Sequence, residues 1–239
     1  MSGEAQVAEV MALLQRVGRC HAPAALASSF GAEDMVLIDL IARHALPIAI
    51  FTLDTGRLPG ETYALIDRVR EHYAIAIDVF YPEAQALERY VLANGINAFY
   101  RSVELRQDCC AIRKTAPLAR ALAGRGAWIT GQRKAQSVTR AALAIEEFDR
   151  VHGLPKFNPL ADWSDQEVWS YLRGHGVPTN PLHARGYASI GCAPCTRAIK
   201  PGEDLRAGRW WWEHPEQREC GLHRQPLDIA VREAPAEAA

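Results

Sequence analysis

Residues 24–57 read AALASSFGAEDMVLIDLIARHALPIAIFTLDTGR. Two short apolar runs, Ala24 to Ala27 and Ile48 to Leu53, flank a stretch whose Val36, Leu37, Leu40 and Ile41 recur at helical spacing. Strands that are apolar throughout are covered on both faces, and a helix between two of them is the crossover of a parallel βαβ unit. The pattern continues in both directions. Residues 4–18 predict an amphipathic helix through Val7, Val10, Leu13, Leu14 and Val17, residues 60–72 another, Ile75 to Phe80 a strand, and 83–92 a further helix. Ala127 to Thr130 predicts one more strand, and Ser164 to Arg173 a helix with Ser164 as N-cap and Glu167 at the capping-box position. The fold class is therefore α/β, a doubly wound and mostly parallel sheet. No internal repeat is present.

Such sheets bind ligands outside the carboxyl ends of their strands. Three loops fall there. Ser28-Ser29-Phe30-Gly31-Ala32-Glu33-Asp34 enters a helix, where backbone N–H groups and serine hydroxyls suit an anion. It lacks Gly-Lys-Ser/Thr, and its acidic pair suits a triphosphate poorly, so it is no Walker loop. Leu53-Asp54-Thr55-Gly56-Arg57 offers a carboxylate, a hydroxyl and a guanidinium for a ribose or phosphate. Gly131-Gln132-Arg133-Lys134 adds a third loop. Each taken alone reads equally as a plain turn; their shared edge favours one site.

With 239 residues, 49% hydrophobic content and Lys+Arg 27 against Asp+Glu 28, the chain is an ordinary soluble globule. A formal charge of -1 favours neither nucleic acid nor an anionic membrane as partner. No signal-peptide pattern opens it, and no apolar run approaches the ~20 residues that span a bilayer. A cytoplasmic location is expected. There, six cysteines argue for metal binding or catalysis over disulfides.

Those cysteines are the most informative feature. Cys109-Cys110 and Cys192-Ala193-Pro194-Cys195 make a split four-thiol set suited to zinc or to iron–sulfur. Neighbouring helical positions point about 100° apart. Cys109 and Cys110 can thus share a centre only if the helix distorts or the centre is large, which fits a multi-iron cluster better than one zinc ion. Arg113, Lys114 and Arg197 supply cations around the thiols. Cys220 stands apart, in Glu-Cys-Gly-Leu-His, with Arg218, His223 and Arg224 placed to favour a reactive thiolate. Cys20 reads as packing, and Trp210-Trp211-Trp212 as the contact that holds the C-terminal segment to the core.

Taken together these residues resemble the cysteine-rich branch of the sulfonucleotide reductases, the assimilatory adenosine 5′-phosphosulfate (APS) reductases. The resemblance runs from about Ser28 to His223, through the serine loop, Leu-Asp-Thr-Gly-Arg at 53–57, Cys-Cys-x-x-Arg-Lys at 109–114, Gly-Cys-x-Pro-Cys-Thr-Arg at 191–197 and Glu-Cys-Gly-Leu-His at 219–223. It implies an adenine-nucleotide alpha-hydrolase-like fold and a [4Fe-4S] cluster on Cys109, Cys110, Cys192 and Cys195. Residues 1–205 would form the nucleotide- and cluster-binding domain, and 206–239 a tail carrying the catalytic Cys220. It also implies attack by Cys220 on the sulfur of APS, release of AMP, and liberation of sulfite from an enzyme thiosulfonate by thioredoxin or glutaredoxin. Ser28, Ser29, Phe30, Gly31, Leu53, Asp54, Thr55, Gly56 and Arg57 would hold the nucleotide. Lys114, Arg133, Arg185 and Arg197 would neutralise the phosphosulfate.

Rival readings are a reductase of the 3′-phosphorylated nucleotide (PAPS) that retains a cluster, a non-catalytic cluster or zinc sensor, and an adenylating enzyme. The separate Cys220 speaks against the sensor, and the poverty of glycine in the serine loop against the adenylating enzyme. The residues leave open both a monomer and a homo-oligomer.

Overall fold

The computed structural model describes residues 3–136 and 140–214. After helix α1 (Gly3–Cys20), strands and helices alternate: β1 (Ala24–Ser28), α2 (Ala32–Arg43), β2 (Ile48–Leu53), α3 (Gly60–Tyr73), β3 (Asp78–Phe80) and α4 (Ala84–Asn94). Then come α5 (Val103–Cys110), α6 (Ala116–Leu122), β4 (Ala127–Ile129), β5 (Glu146–Asp149), β6 (Leu154–Phe157) and α7 (Asp165–Gly174). The six strands form one sheet of order β3-β2-β1-β4-β6-β5, parallel except for the antiparallel edge pair β5–β6.

Side chains of the central strands alternate between two cores, which is why β1, β2 and β4 are apolar at nearly every position. Ala24, Leu26, Ile48, Ile50, Ala127 and Ile129 pack on one face with Leu14, Met35, Leu65 and Val168 of α1, α2, α3 and α7. Ala25, Phe51 and Trp128 pack on the other with Leu118, Ala121 and Leu122 of α6. The sheet is thus doubly wound, as its sequence implies. β1 and β4 lie side by side while the chain runs outward from them in opposite directions, and the loops leaving their carboxyl ends part to open a crevice.

Two local readings are corrected, and two strands have no counterpart in the sequence reading. The strand expected from Ile75 is paired only over Asp78–Phe80, because it meets β2 solely along Phe51 to Leu53. β5 and β6 carry no apolar run that would mark them, with sequences Glu-Glu-Phe-Asp and Leu-Pro-Lys-Phe. They are created by pairing with β4 and with each other. Cys20, read as packing, is exposed at the end of α1.

The N-terminus of α7 follows its sequence closely. The Ser164 side chain accepts from the Glu167 N–H, and the Glu167 carboxylate accepts from the Ser164 N–H at 2.7 Å. Replacing such a cap by alanine costs about 1 kcal/mol. Ser164→Ala should lower the urea midpoint accordingly with an unchanged m-value, as read by equilibrium unfolding.

Candidate active site

A cleft of about 520 Å³ lies over the carboxyl ends of β1, β2 and β4. Ser28, Ser29 and Gly31 line it after β1, Leu53 and Thr55 after β2, and Gly131 to Arg133 after β4. The loop 186–192 and the segment Arg206–Trp210 contribute to the remaining wall.

The serine loop is shaped by its own acid. Ser29 donates from its backbone N–H and its hydroxyl to Asp34 Oδ2, at 2.6 and 2.8 Å. The Phe30 N–H donates to Ser28 Oγ at 3.0 Å. Phe30 sits at φ 59, a left-handed conformation rare for a bulky residue, and its ring is buried in the core rather than against the cleft. Gly131 packs directly on Asp34, where a Cβ would collide with the carboxylate. Burial pushes the Asp34 carboxyl up to about 6, against the pull of the Ser29 hydrogen bonds. Because that folded-state value lies above the usual ~3.9, the carboxylate costs stability once ionised.

The second loop is tied to the cysteines. Asp54 Oδ1 accepts from the Gly56 N–H at 2.7 Å and from the Tyr63 hydroxyl at 2.8 Å, so this carboxylate shapes the turn and does not line the cleft. Gly56 adopts φ 69, which glycine tolerates without cost. Thr55 Oγ1 lies 3.2 Å from Cys192 Sγ, and the Ala193 N–H donates to the Arg57 carbonyl at 2.8 Å. Arg57 turns from the cleft: its guanidinium lies 4.9 Å from the centre of the Phe99 ring and donates to Asn97 Oδ1.

Cys109, Cys110, Cys192 and Cys195 line one small cavity, together with Arg57, Arg113, Lys114 and Trp210. Both cysteines lie in regular helix at the end of α5, and the chain continues beyond Cys110 as a π-helical turn, Ala111–Thr115. Among the described residues no three His, Cys, Asp or Glu side chains already converge at metal-ligand spacing; the thiols line the cavity without meeting at a point. Burial raises the Cys109 thiol, and burial with the neighbouring Cys192 pushes Cys195 up to about 12. Lys114 and Arg209 act on Cys195 in the opposite sense. Lys114, Cys192 and Trp210 line both the cavity and the cleft, so the two spaces share a wall.

The expected cations divide sharply. Arg133 lines the cleft, but its guanidinium is buried in ion pairs with Glu33, at 2.7 Å, and Asp165. Arg185 pairs with Glu61, Arg197 pairs with Glu203 at 2.8 Å, and neither lines the cleft. Arg206 and Arg209, which no motif in the sequence marks, do line it. Arg209 is 6% exposed, stacks 4.5 Å over Trp210, and has no ion pair among the described residues. The only signal for it in the sequence is composition, an Arg-Trp-rich run after Pro201. Cys220 lies outside the described residues.

The phosphoadenosine phosphosulfate reductase domain model matches residues 23–198, which include the loops after β1 and β2 and all four cavity cysteines. The chain belongs to this family. An adenosine 5′-phosphosulfate reductase of Burkholderia cepacia is 56% identical over 98% of this chain and 94% of its own length. One from Allochromatium vinosum is 56% identical over 97% and 90%. Among solved structures, a PAPS reductase from Candida auris in a phosphate complex superposes with TM-score 0.66 at 26% identity, over 83% of this chain and 98% of that one. An NAD synthetase from Campylobacter jejuni shares the fold alone, at TM-score 0.54 and 13% identity over 80% of each chain. Family membership makes the protein an oxidoreductase with an adenine-nucleotide hydrolase-like fold. No helix of the described residues is long and apolar enough to cross a membrane.

The Asp34 network carries its own test. With the folded value raised, wild-type stability is greatest below about pH 4 as far as this group is concerned, and falls as pH rises through about 6. Asp34→Asn keeps an acceptor for Ser29 and removes the titration. The difference between the two proteins in urea stability should therefore change between about pH 4 and 6, with the variant gaining relative to wild type.

Proposed function

We propose that the protein reduces adenosine 5′-phosphosulfate to sulfite and AMP in sulfate assimilation, with Cys220 as nucleophile and thioredoxin or glutaredoxin as reductant. The observation that carries the reading is the shared wall: a nucleotide-sized cleft abuts a cavity lined by four cysteines, and the segment leading to Cys220 forms part of both. The 56% identity to APS reductases over nearly the whole chain supports APS as the nucleotide.

Ser28, Ser29, Gly31, Leu53 and Thr55 would seat the nucleotide over the strand ends. Lys114, Arg206 and Arg209 would face the phosphosulfate, where charge grows as the leaving phosphate departs. The Cys220 thiolate attacks the sulfuryl sulfur. A new S–S bond forms, the S–O bond to the phosphate breaks, and AMP leaves with that electron pair. One thiol of the reductant then attacks Cys220 Sγ and expels sulfite. Its second thiol resolves the mixed disulfide, so the dithiol supplies both electrons. Arg133 would act from behind, fixing the α2, β4 and α7 sides of the floor through Glu33 and Asp165.

A [4Fe-4S] cluster fits the cysteine cavity. Four thiols from two segments line it, and two buried N–H donors there, Arg113 Nε and Trp210 Nε1, have no partner among the described residues, as suits donors to an anionic sulfur acceptor. Cys109, Cys110, Cys192 and Cys195 would hold it. When bound it supplies a fixed charge distribution beside the cleft and a rigid cross-link between the two cysteine segments. Electrons for the reaction come from thiols.

The family model is named for PAPS, and the Candida auris structure is of a PAPS reductase, which favours a second reading with that substrate. Kinetics with both nucleotides separate the two. We expect kcat/KM to favour APS by about a hundredfold or more, since a 3′-phosphate dianion would need a partner of its own. Equal or better use of PAPS would transfer the assignment to the second reading.

Two variants test the chemistry. Cys220→Ser should keep the brown colour and nucleotide binding while losing turnover. Mass spectrometry of wild type mixed with APS, without reductant, should place a sulfonate adduct on Cys220. Cys192→Ser should lose the colour and the roughly four irons per chain expected of the wild type. Stoichiometric zinc in colourless protein from iron-replete cells would remove the cluster from the account.

A further inference from the structure

The described segment that precedes Cys220 in the chain is fastened to the cysteine helix by a buried ion pair. Glu213 and Arg106 form a two-pronged ion pair, Arg106 Nε to Oε1 at 2.9 Å and Nη2 to Oε2 at 2.8 Å, with side chains 1% and 3% exposed. Arg106 lies on α5, just ahead of Cys109. The centre of the Trp210 ring lies 4.9 Å from the Arg106 guanidinium and 4.5 Å from that of Arg209. The same short segment reaches the other cysteine pair, since the Trp210 N–H donates to the Cys195 carbonyl at 3.2 Å. The Glu213 N–H in turn donates to the Trp210 carbonyl at 2.9 Å.

Burying two charges is costly, and a pair so placed is weak evidence for stability; its better-attested use is to fix one arrangement over others. Here the arrangement has a plain beneficiary. Cys220 follows Glu213 by seven positions, a reach of at most about 25 Å when extended. Arg209, in the cleft wall, is four residues before Glu213. The ion pair is therefore the last buried anchor among the described residues before Cys220 in the chain, and Trp210 and Arg209 beside it belong to the cleft wall.

We propose that Arg106 and Glu213 are positioning residues: their buried pair fixes the point and direction from which Cys220 is presented to the cleft, and with them the Trp210–Arg209 wall. The inference rests on Cys220 being the nucleophile. A tethered thiol reacts at a rate set by its effective concentration and orientation at the target, so loosening the root should slow the attack without weakening nucleotide binding.

The test is a single-turnover measurement, without reductant, of sulfonate appearance on Cys220 in cluster-loaded protein, beside the AMP Kd and the brown absorbance. Glu213→Ala and Arg106→Lys should slow adduct formation by fivefold or more, leave AMP affinity within about twofold of wild type, and keep the colour. A wild-type adduct rate in both variants would overturn the inference. So would a parallel loss of AMP binding and colour, which would make the pair a part of the general packing. If neither variant folds, a five-residue Gly/Ser insertion between His214 and Pro215 leaves the pair untouched. The longer tether should slow the adduct about twofold, and an unchanged rate would overturn the inference. Absence of any adduct on wild-type Cys220 would instead refute the proposed function itself.

Discussion

Neighbouring side chains on an α-helix diverge, yet Cys109 and Cys110 line one cavity, and much of the molecule is arranged around this conflict. The helix that carries them stops being α-helical at once and opens into a π turn. Such single wide turns recur at functional sites, where they shift the register of the residues beyond them. Here Arg113 and Lys114 fall within the turn and both line the cavity, with Lys114 reaching the cleft as well. The opposite pair is held by other means: Thr55 at the end of β2 against Cys192, and backbone bonds from Ala193 to Arg57 and from Trp210 to Cys195. One sheet edge thus supports both spaces.

Local periodicity carries most of the fold. β1, β2, β4 and α7 sit close to where their apolar runs and capping residues put them, because their burial on both faces leaves a pattern in the chain itself. β5 and β6 are invisible in the sequence for the complementary reason: Glu146, Glu147 and Lys156 are strand residues only because a neighbouring strand pairs with them. The loops of the cleft are legible as a set. Their individual members are not, since the Phe30 ring points into the core and Asp54 is spent on its own turn.

The arginines show where sequence reasoning fails. A cation's availability depends on acids that are distant in the chain but near in space. Glu33 and Asp165 take Arg133, and Glu61 takes Arg185. Even the local pair Arg197–Glu203 cannot be told from a chance spacing. Arg209 lines the cleft with an aromatic face against it; among the described residues it stacks on Trp210 and pairs with no carboxylate. That distinction between a paired and a stacked guanidinium exists only in three dimensions.

The locked floor of the cleft bears on how such a site can diversify. Arg133, Glu33 and Gly131 are closely interlocked: losing the Glu33 acid strips a buried guanidinium of a partner, and a Cβ at Gly131 would collide with Asp34. Single mutational steps are therefore costly at those three positions. The stretch of wall from Tyr187 to Ile190 is half-buried or exposed and holds no charged side chain at all. Substitutions that alter ligand preference therefore meet less physical constraint on that stretch than on the floor beneath it.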